Sequence, residues 1–198
     1  FLTTVCCLLI SILGSYAMTR LKYPGRRFFK TSIIFSYLIP TAVLFVPMYV
    51  FVSKLGFYDN KWALLIIYPT TVVPYCCYML MSYFKAIPYA LEEAALIDGC
   101  TRMKSLRYII TPIALPGIAV VATFAFTMSW NEYLYAMIMT TSPAQQTAVV
   151  AISSFKYADS AIWGRIMAAS VLTSLPVTII YIVAQAQLIS GKSDGSVK

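Results

Sequence analysis

Apolar runs separated by short polar, mostly basic segments repeat along the whole chain. Five of these runs approach the length of about 20 residues that a helix needs to cross a bilayer. They are Phe1–Thr19, Ile33–Ser53, Trp62–Phe84, Tyr108–Trp130 and Ile162–Ile189. The last is long enough to tilt or to begin outside the membrane. The pattern predicts an all-α, polytopic helical membrane protein with about five visible spans. Prolines fall inside several runs, at Pro40, Pro47, Pro69, Pro74, Pro112, Pro116 and Pro176. Each removes a backbone donor, so kinks are expected there; in lipid, neighbouring helices or a cavity must satisfy the freed carbonyls.

The stretch Tyr83-Phe-Lys-Ala-Ile-Pro-Tyr-Ala-Leu-Glu-Glu-Ala-Ala-Leu-Ile-Asp-Gly is too polar to span and reads as a short amphipathic helix. Pro88 suits a first helical turn, where its missing N–H costs nothing. Gly99 suits the stop, where positive φ is common. Thr101 is placed to cap a second helix running into Leu106, Ile109 and Ile110. The segment 83–107 is therefore expected to be helix, tight turn, helix. Small Ala90, Ala94 and Ala95 would leave a surface open to close approach, and Glu93 would face a basic partner. A solvated helix lying on the membrane is the alternative at this point.

Composition agrees with lipid as the solvent. The 198 residues are 60% hydrophobic and 11% charged, with mean hydropathy +0.78, against about 25% charged in soluble domains. The net charge of +8 raises nucleic acid as a partner, but the distribution of the basic residues argues for a membrane instead. Eleven of them, Arg20, Lys22, Arg26, Arg27, Lys30, Lys85, Arg102, Lys104, Arg107, Lys192 and Lys198, fall on one side of the predicted topology. Four, Lys54, Lys61, Lys156 and Arg165, fall on the other. The positive-inside rule then places the basic loops and the C-terminus in the cytoplasm. Anionic lipid or a cytoplasmic protein explains these patches better than nucleic acid.

Other chemistries find little support. The chain has no His, and its five cysteines include two adjacent pairs, Cys6–Cys7 and Cys76–Cys77, inside apolar runs. Adjacent helical residues do not face each other, so these read as small packing residues and no metal site or catalytic group is expected. Asp59, Lys61, Glu132, Asp159 and Arg165 all sit at or near span ends, so no charged proton path crosses the spans. No phosphate-binding P-loop is present. Energy for uphill transport would then come through another subunit. The chain opens within an apolar run, which implies a natural N-terminus further upstream.

Glu93-Ala94-Ala95, then Asp98-Gly99, then Ile109, Pro112 and Pro116 resemble the EAA motif of permease subunits in binding-protein-dependent ABC importers. The spacing is similar to that of the sugar-importer form, and Trp130-Asn131-Glu132-Tyr133 resembles the corresponding sugar-permease pattern. The likeness extends over essentially the whole chain and is nearest to the maltose-type permease subunit. The family usually has six spans, which implies that the first precedes Phe1. It usually has Leu where this chain has Thr111.

The resemblance implies a transmembrane permease domain over residues 1–191, containing the coupling loop 83–107, and a short cytoplasmic tail at 192–198. It implies that Glu93, Ala94, Ala95, Asp98 and Gly99 couple the permease to a separate ATPase. It implies no cofactor on this chain, ATP being hydrolysed by the partner. The implied partners are a second homologous permease, two cytoplasmic ATP-binding subunits, an extracytoplasmic sugar-binding protein and membrane lipid. The implied location is the bacterial inner membrane. Trp130, Asn131 and Tyr133 are candidates for the translocation path, with an interfacial aromatic belt as the alternative. Tyr49, Tyr68, Tyr75 and Tyr78 share that ambiguity. An ABC permease for another solute, such as a glycerol phosphate or a polyamine, and an autonomous secondary carrier are the competing functional readings.

Overall fold

The computed structural model describes residues 1–155 and 163–193, with side chains to residue 185. Lys156, Asp159, Ile162 and the predicted tail beyond residue 193 lie outside the described residues. The described residues are helical, with no strand among them. In chain order the helices are α1 (Leu2–Arg20), α2 (Arg26–Leu38), α3 (Thr41–Lys54), α4 (Trp62–Ala86), α5 (Tyr89–Ile97), α6 (Arg102–Ser105), α7 (Thr111–Ile113), α8 (Leu115–Trp130), α9 (Leu134–Met139), α10 (Ala148–Ser154) and α11 (Trp163–Ser193). A π-helical turn, Leu106–Ile110, joins α6 to α7.

Three helices are long and apolar enough to cross a membrane unbroken: α1, α4 and the Trp163–Gln185 part of α11. The other two predicted spans, Ile33–Ser53 and Tyr108–Trp130, are not continuous helices. The first is the pair α2 and α3, bent by 101°, and the second is the pair α6–α7 and α8, bent by 83°. Proline explains both bends, as the kinks expected at these positions. Ile39 precedes Pro40 and is forced out of the helical region, to φ −71 and ψ 123, because the proline ring clashes with a helical predecessor. Pro112 and Pro116 each lack the N–H that would close the ladder around Ala114, where the axis turns. Counting each bent pair as one gives up to five spans. Pro47, Pro69, Pro74 and Pro176 stay inside continuous helices.

The core is built on α1 against α4, with α8 across both. Cys7 and Tyr16 from α1, Cys76, Leu80 and Phe84 from α4, and Ile118, Val121 and Ala125 from α8 pack into one buried cluster with Leu106 and Ile110. Small residues allow the close approach. A Cβ on Gly117 would fall 2.5 Å from the Tyr83 ring. A second cluster at the opposite end joins Val52, Leu64, Ile67 and Tyr68 to Tyr135, Ala136, Met139 and Val150. By contrast, α11 turns large apolar side chains outward along its length, among them Trp163, Leu172, Ile179 and Tyr181. That is the face expected toward lipid or another subunit rather than water.

Candidate functional site: a helical loop and an aromatic end

The loop begins where α4 stops. Ile87 is extended, at φ −76 and ψ 127, as a residue before proline must be. Pro88 then opens α5. At the other end the Gly99 N–H donates to the Leu96 carbonyl at 3.2 Å and the Cys100 N–H to the Ala95 carbonyl at 2.9 Å. These two bonds, with Gly99 at φ +82, close the helix by the Schellman pattern. The turn delivers Thr101 to the start of α6, where its Oγ1 accepts from the Lys104 N–H at 3.3 Å. The expected helix, turn and helix are present, with the expected residues at the stop and the cap.

The motif residues divide between two faces of α5. Glu93, Ala94, Asp98 and Gly99 are exposed. Ala95 is buried; it packs inward and does not contribute to an open small-residue surface. Ala90 is exposed, so the open patch consists of Ala90, Glu93 and Ala94. Separation of the faces follows from the helical period of 3.6 residues, which sets positions 92, 95 and 96 against the spans and 93 and 94 away from them.

Glu92 stands outside the motif residues named from the sequence, and it is the most connected residue of the loop. It is only 3% exposed. Its Oε1 accepts from the Tyr16 hydroxyl at 2.5 Å and lies 3.5 Å from the Arg102 guanidinium. Its Oε2 is 3.9 Å from Arg20 Nε. Arg20, the last residue of α1, is buried as well. It donates to the Phe84 carbonyl and, at 2.6 Å, to the Ile87 carbonyl. The Tyr89 ring lies under the Arg20 guanidinium at 4.2 Å, and the Tyr89 hydroxyl donates to the Thr19 carbonyl at 2.7 Å. One signal in the sequence touches this cluster: Glu92 stands three and four residues before the apolar Ala95 and Leu96, which sets it on their face of the helix. Arg26 satisfies the end of α1 differently, donating to the carbonyls of Met18, Thr19 and Leu21. An open cavity of about 830 Å³ lies beside this cluster, lined by Arg20, Arg26, Tyr89, Glu92, Glu93 and Arg102 among others.

The aromatic candidates lie at the far ends of the spans. Trp130 stacks on Phe126 with ring centroids 5.3 Å apart, and its indole N–H donates to the Thr173 carbonyl of α11 at 3.0 Å. It lines a cavity of about 330 Å³ with Trp62, Tyr68, Phe126, Ser129 and Thr147. Asn131 and Tyr133 are exposed and do not line it. Of the three, Trp130 alone lines this cavity. Glu132, between them, is committed to the backbone. Its carboxylate accepts the N–H groups of Tyr135 and Ala136 at 3.0 and 3.1 Å and caps α9, where helix-end donors otherwise go unpaired. Nearby, Asp59 fastens the α3–α4 loop to the segment after α9. Its Oδ1 accepts from the N–H groups of Thr141 and Ser142, both at 2.8 Å, and its Oδ2 accepts from the Ser142 hydroxyl. The Ser142 bonds, assisted by Thr141, hold the Asp59 carboxyl below its ordinary range.

Apolar helices around a proline-broken scaffold, with an exposed helical loop at one end, are the architecture of a polytopic helical membrane protein. A family model described as "Binding-protein-dependent transport system inner membrane component" matches residues 10–192, and the chain belongs to this family of ABC importer permeases. It is 37% identical to the inner membrane ABC transporter permease protein YcjP of Escherichia coli, over 99% of this chain and 70% of that protein. It is 33% identical to the trehalose/maltose transport system permease protein MalG of Thermococcus litoralis, over 100% of this chain and 71% of the relative. Its fold is similar to that of a bacterial ABC transporter involved in import of the polysaccharide alginate, with TM-score 0.80 and 23% identity, covering 93% of this chain and 70% of that one.

Proposed function

We propose that this chain forms one half of the path for a carbohydrate and is driven by a separate ATPase that docks on α5. Residues 1–191 act as the permease domain in this reading, with 83–107 as the coupling loop and 192–198 as a cytoplasmic tail. The second half of the path is a homologous permease. Two ATP-binding subunits hydrolyse ATP on the cytoplasmic side, which is also the side of the C-terminus. An external sugar-binding protein delivers cargo to the end carrying Trp130, with Asn131 and Tyr133 at its rim.

The observation that carries the reading is the exposed face of α5. Glu93 and Ala94 are exposed on a helix whose exit is fixed by the Schellman bonds and whose inner face is tied to α1 through Glu92 and Tyr89. A rigid, outward carboxylate beside small residues is the geometry for docking a protein with a basic cleft. Carbohydrate as cargo is supported by relatives named for trehalose/maltose, diacetylchitobiose and sulfoquinovosyl glycerol. An aromatic cavity walled by Trp62, Tyr68, Phe126 and Trp130 suits the same chemistry, since aromatic rings stack on sugar faces.

Co-purification tests the assembly. The tagged full-length permease is expected to recover an ATPase and a second permease, and Glu93→Arg to lose the ATPase while keeping the second permease. Recovery of the ATPase at wild-type levels by Glu93→Arg would remove Glu93 from the docking surface. Uptake of a labelled sugar panel by cells carrying the full system tests the cargo; uptake of none of the sugars, with uptake of a polyamine or a glycerol phosphate, would overturn the carbohydrate reading.

A further inference from the structure

We infer that Glu92, Arg20 and Tyr16 form a buried clamp that transmits displacement of α5 to α1, so that Glu92 is a positioning residue whose role differs from that of the exposed Glu93. This rests on the reading of α5 as the docking element. The clamp is made necessary by Pro88. Continuing the α4 ladder would require the N–H of residue 88 to reach the Phe84 carbonyl, and proline has none. Arg20 supplies the missing donor, bonding both the Phe84 and the Ile87 carbonyls. A single guanidinium at the end of α1 therefore holds the last carbonyls of α4 and faces the α5 carboxylate.

Burial makes the link stiff. The Arg20 and Glu92 side chains are 0% and 4% exposed, and pulling a desolvated ion pair apart leaves an uncompensated charge in a low-dielectric site. The Tyr16 hydroxyl fixes the carboxylate from α1 at 2.5 Å, and Tyr89 adds a second tie from α5 to the end of α1. Sliding α5 relative to α1 would break all of these together, whereas moving the two as one piece breaks none. Arg102, more than half exposed, touches the same carboxylate from α6 at 3.5 Å and is the looser arm. Displacement of α5 by a docked subunit is thus passed to a span whose far end, at Leu2 and Thr3, lines the cavity shared with Trp130. That is the arrangement a rigid-body switch requires.

The test is hydrogen–deuterium exchange on the assembled transporter in nanodiscs, with and without ATP plus vanadate, reading peptides from α5 and α1 separately. In the wild type, both helices are expected to change on nucleotide trapping. Glu92→Gln retains side-chain volume and hydrogen-bonding capacity but removes the charge; Tyr16→Phe removes one hydroxyl and protects the test should Glu92→Gln fail to assemble. In either variant the α5 response is expected to persist while the α1 response, relative to it, falls by about fivefold or more, the usual lower range of a coupling between sites. ATP hydrolysis continues. A purely structural role would lower thermal stability and both responses in proportion, which would overturn the clamp. An unchanged α1 response in both variants would overturn it as well. A wild-type transporter in which α5 does not respond at all would instead sink the docking reading on which the clamp rests.

Discussion

Replacing Gly99 probes the coupling loop most directly, because the structure isolates one physical cause. Gly99 sits at φ +82, and a Cβ built there meets nothing within 4 Å. No steric clash with neighbours is introduced, so the cost of a side chain is the cost of the left-handed backbone alone. For an L-residue with an ordinary Cβ this is roughly 1–2 kcal/mol, and a β-branched residue is worse because it is a true outlier there. A penalty of about 1–2 kcal/mol corresponds to about a 5–30-fold shift in equilibrium. The strain falls on the two bonds that close α5, from Gly99 N–H to Leu96 and from Cys100 N–H to Ala95. Relaxing it would reopen the last turn of α5 and swing α6 away.

The series Gly99→Asn, Gly99→Ala and Gly99→Val should therefore order by backbone tolerance rather than size. Asparagine visits the left-handed region at little cost and is expected to retain most uptake. Alanine should lose part of it, through weaker docking in proportion to the fraction of loops still folded. Valine should abolish transport while the protein still inserts in the membrane, because the spans and their core do not involve residue 99. The assay is uptake in cells alongside the quantity of ATPase recovered with the tagged permease, both normalised to permease in the membrane. Normal uptake by Gly99→Val, or an asparagine variant as impaired as the valine one, would refute the turn argument.

Two further perturbations follow from specific contacts. Gly117→Ala places a Cβ 2.5 Å from the Cδ1 and Cγ atoms of Tyr83, which lie at the base of the ring and cannot swing aside freely. Overpacking of this kind costs about 1–3 kcal/mol, so the detergent-purified variant should melt at lower temperature, and Tyr83→Ala should restore it; no change in melting would show that α8 shifts freely. Asp59 has its carboxyl held below its ordinary value of 3.8 by Ser142 and Thr141, so its hold on residues 141–142 is present above that value and is lost as pH falls through the lowered one. Proteolytic protection of the 140–146 loop should accordingly decline only in strong acid for the wild type, be absent at all pH in Asp59→Ala, and lose its pH dependence in Asp59→Asn, which keeps an acceptor oxygen and tolerates φ 51.

Much of this architecture was legible because lipid and backbone chemistry leave few choices. Apolar run length identified the spans, and the punctuation Pro88, Gly99 and Thr101 wrote the loop almost residue by residue, since each answers a local backbone need. Spans two and four were harder. Pro47, Pro69 and Pro74 look much like Pro40 and Pro112 in sequence, yet only the latter sites break the axis. At 112 and 116 two prolines spaced four apart remove donors on both sides of Ala114, and a π-helical turn precedes them. At Pro40 the extended Ile39 ends the helix outright. By contrast, α4 carries Pro69 and Pro74 within the central packing against α1 and α8, where neighbouring helices hold the axis. Whether a proline bends or breaks a helix depends on packing that a one-dimensional pattern does not contain.

The same limit accounts for Glu92 and Arg20. Read along the chain, Arg20 is one of many basic residues marking a membrane side, and Glu92 is the neighbour of a motif carboxylate. Both descriptions treat the charge as facing water. The fold contradicts that: it buries both residues, because the Phe84 carbonyl orphaned by Pro88 needs a donor, a guanidinium brought in for that purpose needs a carboxylate, and the inward positions of α5 can supply one only at residue 92. Each step is forced by the one before it, but the first requires knowing that α1 ends beside α4, a contact between residues 64 apart in the chain. Adjacent glutamates thus acquire opposite duties, one turned outward and one locked inward. Accordingly, charge reversal at residue 93 should act on recovery of the ATPase, and charge removal at residue 92 on what α1 does after the ATPase has bound.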